Sequence, residues 1–245
     1  MTENEYGLDT AEHTVARVPV MFIVDTNGGT KHQITTENGP RKIIFELNEG
    51  LNHFAREIES DFKAELAIDV SVTSTGGCPT VEQEFYPIHS ISTQSLSSGL
   101  PELTAGGPSL VFESIHKSRK HLTDYVEAVD EKGLSRKPAL VWLLHESEPL
   151  AGSEEEWEIA QRAIKKGTEG RDMFFFAVGL GGSHRGAAME GLNKLVTEAD
   201  DENVTVFRHR YRNIRELFHI ISNVTIEHTQ GEGLSSPVET SLRQI

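Results

Sequence analysis

The chain has 245 residues, of which 37% are hydrophobic and 25% charged, with a formal net charge of -15 and a single cysteine, Cys78. That composition suits a globular protein large enough to bury a full core in one or two domains. The acidic balance argues against nucleic acid, which needs a basic face to displace counterions, and one thiol excludes an intramolecular disulfide or a thiolate metal cluster.

In chain order, Val20-Met21-Phe22-Ile23-Val24 reads as a strand that stops at Asp25 and turns through Gly28-Gly29. A continuous apolar strand is buried on both faces, and its carboxyl end opens onto the crevice where ligands bind in parallel α/β sheets. Pro40 is expected at the first position of a helix carrying Ile44, Leu47, Leu51, Phe54, Ile58 and Phe62 on one face. Leu66 to Val72 and Val81 to Tyr86 read as strands joined by the turn Gly76-Gly77-Cys78-Pro79, a hairpin. A Ser/Gly-rich loop from Ser90 to Gly107 precedes a helix from Pro108 to Val129, then a buried strand, Ala139 to Leu144. Ser153-Glu154-Glu155-Glu156 is a capping box opening a helix through Ile164. A strand, Met173 to Val178, leads to a helix bearing Met189, Leu192, Leu195 and Val196, and Val204 to Phe207 makes a last strand. Asn213 and Glu216 cap a final helix with Ile214, Leu217, Phe218 and Ile221 on one face.

The alternation predicts a single doubly wound, Rossmann-like α/β domain over residues 18–230. Its sheet is mostly parallel with one antiparallel edge hairpin, and helices cover both faces. Residues 1–17 form an N-terminal extension, and 231–245 a polar, disordered tail. No segment approaches the roughly 20 apolar residues of a membrane helix. Met1-Thr2-Glu3-Asn4-Glu5 lacks the apolar core of a secretory signal, so a cytoplasmic protein is expected.

Several groups that look chemical have simpler explanations. Arg208-His209-Arg210-Tyr211-Arg212 reads as a solvated basic loop, and Glu154 to Glu156 as a helix N-terminus complementing its dipole. Gly179-Leu180-Gly181-Gly182-Ser183-His184-Arg185-Gly186 lacks the Gly-x-Gly-x-x-Gly spacing of a dinucleotide turn and fits close strand–helix packing better, with a nucleotide- or phosphate-handling enzyme as the alternative. Ser183 and His184 are adjacent on one turn with no orienting acid. Trp142 and Trp157 read as core or half-core residues, and no two histidines have the helical i, i+4 spacing of a zinc site.

Three segments fall at strand ends or just beyond: Asp25-Thr26-Asn27-Gly28-Gly29, Leu103-Thr104-Ala105-Gly106-Gly107-Pro108-Ser109 and Leu144-His145-Glu146-Ser147-Glu148-Pro149. In this order and spacing they resemble the metal-site segments of von Willebrand factor A (vWA) domains, most closely the TerY-like branch linked to tellurium resistance. The resemblance runs from about Val18 to Thr229. It implies the vWA fold, a protein-binding role without catalysis, and a partner such as a phosphatase or kinase of a stress-response system. In the family, an aspartate, two serines, a threonine and a second aspartate hold a divalent cation.

Of those ligands this chain carries over Asp25. Asn27 and Gly29 stand at the serine positions, Pro108 at the threonine, and Glu146 at the second aspartate. Magnesium demands near-octahedral oxygen at about 2.1 Å, so a shell this depleted is vestigial. No cofactor is therefore predicted, with magnesium as the alternative. A carboxylate beside Glu146 without a cation should have a raised pKa or attract a protein cation, for which Lys31, His32 and His145 are placed. His145 also fits a plain satisfied residue at a strand terminus. The expected partner-binding cleft comprises Asp25, Asn27, Thr104, Ser109, His145 and Glu146.

Overall fold

Strand β1 (Val18–Val24) is buried at all seven positions, as its unbroken apolar run requires. It lies between β4 (Ile68–Ser74) and β6 (Ala139–Glu146), parallel to both. The computed structural model describes residues 15–36, 39–90, 99–146, 150, 152–181, 186–199, 201–209 and 214–231. With β5 (Thr80–Pro87), β7 (Met173–Leu180) and β8 (Val204–His209), the sheet order is β5-β4-β1-β6-β7-β8. Only β5 runs antiparallel, joined to β4 by the predicted glycine turn.

Successive strand residues point to opposite faces, and each face has its own core. Val18, Val20, Phe22, Leu140, Trp142 and Leu144 pack with α1 (Ile43–Glu59), α2 (Phe62–Ala67) and α6 (Ile214–Gln230). Met21, Ile23, Val141 and Leu143 pack with α3 (Val111–Glu131), α4 (Glu154–Glu169) and α5 (Gly186–Val196). The predicted doubly wound α/β architecture is thus present, helices on both faces. Trp142 is fully buried, stacked on Phe176 with ring centroids 4.1 Å apart. The half-buried Trp157 lies against Phe112.

The first helix starts later than predicted. Pro40 belongs to β3 (Gly39–Lys42), an antiparallel partner of β2 (Gln33–Thr36), and α1 begins at Ile43. Proline has no N–H to give, and it is tolerated in this isolated two-stranded ribbon. Phe62, counted on the face of the first helix, starts α2 instead and is largely exposed. The Asp61 carboxylate accepts from the N–H groups of Lys63 and Ala64, a cap that starts a new helix. That helix takes up Leu66, so β4 begins only at Ile68. The Ser153–Glu156 capping box forms as predicted. Asn213, residues 91–98 of the Ser/Gly-rich loop and the tail beyond Gly231 lie outside the described residues.

At the amino ends of the strands, Arg17, assigned from sequence to the extension, is built into the fold. Its guanidinium holds the buried Asp69 carboxylate through Nε at 2.7 Å and through Nη2, and Nη1 donates to the Leu66 carbonyl at 2.8 Å. Tyr125 Oη donates to the same carboxylate. Among the described residues no helix is long and apolar enough to cross a membrane.

Candidate functional site

Asp25 continues β1 past its last sheet residue, its N–H donating to the Leu144 carbonyl at 2.8 Å. Because β4 and β6 run parallel to β1, Thr75 and His145 arrive at the same end of the sheet. Asp25 is completely buried. Its Oδ1 accepts from Thr75 Oγ1 at 2.8 Å, Ser109 Oγ at 2.9 Å and the Asn27 N–H at 3.2 Å. Its Oδ2 accepts from Asn27 Nδ2 at 3.1 Å and lies 2.8 Å from Nδ1 of His145, itself buried. Burial alone would raise this carboxyl. The His145 ring, as a hydrogen-bonding partner and as a charge, and then the Thr75 and Ser109 hydroxyls outweigh burial and hold Asp25 below the ordinary carboxylate range. Of the three candidate cations named from the sequence, His145 is the one in contact with Asp25, Nδ1 to Oδ2 at 2.8 Å. Lys31 and His32 are exposed.

Three loops are knitted around this carboxylate by backbone hydrogen bonds. Gly28 N–H donates to Gly107 O, Gly106 N–H to Thr26 O, Gly77 N–H to Pro108 O and Leu110 N–H to Thr75 O, all within 2.8–3.1 Å. Gly107 has φ +67, and a Cβ there would run into the Gly77 backbone, so glycine is what lets these loops touch. Deeper in, the Asn48 amide of α1 pins Leu103 by a reciprocal pair at 2.9 Å.

Asn27 is engaged on both sides. Its Oδ1 accepts from Gly29 N–H at 2.5 Å, capping the short 3-10 turn Gly28–Lys31, while its amide nitrogen faces Asp25. Gly29 and Glu146 explain each other. A Cβ on Gly29 would lie 2.7 Å from Asn27 Oδ1 and 2.8 Å from Glu146 Oε2. The longer acid at position 146, buried to 2% exposure, fills the room that a side chain at 29 would take. In this arrangement Asp25 meets hydrogen-bond donors, Asn27 spends its oxygen on the backbone, and position 29 offers no side-chain atom.

Of the predicted cleft residues, Asp25, Asn27, Ser109 and His145 converge. Glu146 borders Asn27 across Gly29. Thr104 and Pro108 are exposed on the rim, and Thr104 is not among the described groups that bond Asp25. Two residues escaped the sequence reading. Thr75 donates to Asp25, and Thr26 Oγ1 accepts from Gly76 N–H at 2.8 Å. A hydroxyl at the end of a strand parallel to β1, just before a glycine pair, is the signal that marks Thr75. Gly179, the next-to-last residue of β7, serves strand–helix packing, since a Cβ there would lie 2.6 Å from Met189 Sδ on α5. Residues 182–185 lie outside the described residues.

No protein-family model matches this chain. No curated protein matches it either. Solved structures do. The PilB minor pilin of Streptococcus sanguinis superposes with a TM-score of 0.63 at 11% identity, over 91% of this chain and 63% of the pilin. The chain thus spans less than two thirds of that protein's length. BatB, a conserved hypothetical protein of Bacteroides thetaiotaomicron, gives 0.55 at 13% identity over 87% of this chain and 99% of its own. The vWF domain of the type V pili tip protein Mfa5 from Porphyromonas gingivalis gives 0.52 at 11%, over 88% and 97%. Identities this low speak for the fold alone. Sheet order, helices on both faces and these superpositions show that the chain has the α/β fold of von Willebrand factor A domains.

Proposed function

We propose that this domain is a non-enzymatic protein-binding module that recognises its partner at the carboxyl end of the sheet, with side chains doing there what a divalent cation does in related domains. One observation carries the reading: the buried Asp25 carboxylate already meets Thr75, Ser109, Asn27 and His145. A cleft completed from within is formed before any partner arrives and needs no cation to hold its shape. The knitted loops leave Thr104 and Pro108 exposed on its rim, where a partner meets them first. The pilus proteins among the structural neighbours support an interaction role by fold, and the TerY-like segments point to a phosphatase or kinase of a stress-response complex.

The second reading is a rearranged magnesium shell. The hydroxyl oxygens of Thr75 and Ser109, 2.8 and 2.9 Å from Asp25, favour it, because hydroxyls are hard ligands. Thermal unfolding with magnesium, manganese and calcium separates the two. A cation at a hundred times its Kd adds about 2.7 kcal/mol and a few degrees. The expected result is a flat response in wild type and Asp25→Ala alike, and a saturable rise lost in Asp25→Ala would establish the magnesium reading instead. Affinity capture then tests the face: retention should persist in chelator and disappear with Thr104→Arg. Retention indifferent to Thr104→Arg would move the binding surface elsewhere.

A further inference from the structure

On the other side of the molecule's chemistry, α1 and α6 bring together a cluster that the cleft does not use. His53 and Glu57 stand one turn apart on α1, and His219 faces them from α6. Glu57 Oε1 is 2.6 Å from Nδ1 of His219 and 3.3 Å from Nε2 of His53. One donor atom from each of the three side chains lies within 4.8 Å of the others, and all three residues keep a solvent-facing edge. Glu57 Oε2 is shielded from water and has no hydrogen-bond partner among the described residues.

We propose that His53, Glu57 and His219 form a site for a borderline transition-metal cation of the zinc class, which clips α6 to α1. Two imidazole nitrogens and one carboxylate suit zinc, copper or nickel, whereas magnesium and calcium want oxygen throughout. Zinc bonds of about 2.0–2.1 Å place tetrahedral ligands roughly 3.3 Å apart. The His53–Glu57 separation of 3.3 Å already has that value, His219 has to withdraw from its 2.6 Å contact with Glu57, and all three donor atoms lie within 4.8 Å of one another. The free lone pairs of Glu57 Oε2 let the carboxylate bind through either oxygen or both. Water from the exposed edge fills the fourth position, as in three-ligand zinc sites. An outer partner is also in place. Nε2 of His219 lies 3.2 Å from Nδ2 of Asn223, one turn further along α6. With Nδ1 on the metal, Nε2 carries the proton, and the Asn223 amide turned by half a rotation accepts it through Oδ1, the arrangement that orients metal-bound histidines.

The cluster is separate from Asp25 in residues and in chemistry, so it stands or falls apart from the binding face proposed above. The test uses the full chain, stripped with chelator and dialysed. Zinc should raise the melting temperature by a few degrees with one cation per chain by calorimetry, and magnesium should not. Cobalt(II) should give the intense visible bands of a four-coordinate nitrogen/oxygen site. Both signals should be lost in His53→Ala and in His219→Ala, whose partly exposed side chains can be removed without opening the core. His116→Ala, which removes an exposed histidine on α3, should retain them. A zinc response that survives the His53→Ala/His219→Ala pair, or no response in wild type (an ion-pair cluster only), would overturn the assignment.

Discussion

Position 29 shows how two departures from a family pattern can be one event. A serine there would set its Cβ 2.7 Å from Asn27 Oδ1 and 2.8 Å from Glu146 Oε2, so Glu146 has to move. Gly29→Ser is expected to destabilise by about 1–3 kcal/mol, the usual cost of overpacking, and Glu146→Asp in the same chain should recover much of it. A denaturant double-mutant cycle measures the coupling, and strict additivity would break the link between the two positions. Asp25 contributes to the acid limb of stability. Its folded pKa is depressed, so the unfolded chain takes up the proton first, near pH 4. The stabilisation is present above that value and is lost as pH falls through the folded pKa. Asp25→Asn should therefore lower stability at neutral pH and flatten the acid limb, read from unfolding midpoints against pH.

At the scale of elements, one contact sets how α1 meets α6 and another ties a helix to the sheet. Gly50 on α1 lies directly against the Phe218 ring of α6, and a Cβ there would enter the ring. This close approach brings His53 and Glu57 opposite His219. Gly50→Ala should cost about 1–3 kcal/mol despite its better helix propensity, because overpacking outweighs a gain of under about 1 kcal/mol. An unchanged denaturation midpoint would show that α6 shifts freely. At the other end of the sheet, the Arg17–Asp69–Tyr125 network ties β1, β4 and α3 together. Burial alone would lower the Arg17 pKa, but Asp69 outweighs it and raises it. Removing Arg17 strands a buried carboxylate, so Arg17→Met should cost about 3–5 kcal/mol, and Arg17→Met/Asp69→Leu should regain part of that. Chemical denaturation of the single and double variants gives both values.

For the whole molecule, the parallel sheet gathers the carboxyl ends of β1, β4 and β6 around Asp25 at one end and the Arg17 network at the other, keeping the proposed binding face apart from structural support. Much of this was legible. The apolar runs at Val20, Ala139 and Met173 marked the central strands, because a strand buried on both faces has no room for alternation. The three-and-four spacing of Leu47, Leu51, Phe54 and Ile58 marked α1 for the converse reason. Pro40 and Phe62 misled, since the chain broke its helix where Asp61 offered a new cap and paired Pro40 in a small ribbon. The charged end of β1 stood out as a site from its residues alone. Of the groups that answer it, Ser109 and His145 were named through the segments resembling a family pattern, while Thr75, 50 residues from Asp25, was not. The sequence by itself determined which segments are the buried central strands, which face α1 and α6 turn inward, and that the first strand ends on an acid. Only the tertiary structure decided that Thr75, Ser109 and His145 meet that acid, that Glu146 occupies the space over Gly29, and that two histidines and a glutamate converge between α1 and α6. Burial is written in local periodicity, whereas hydrogen bonds and ligand shells act over about 3 Å between residues whose distance along the chain carries no record of their distance in space.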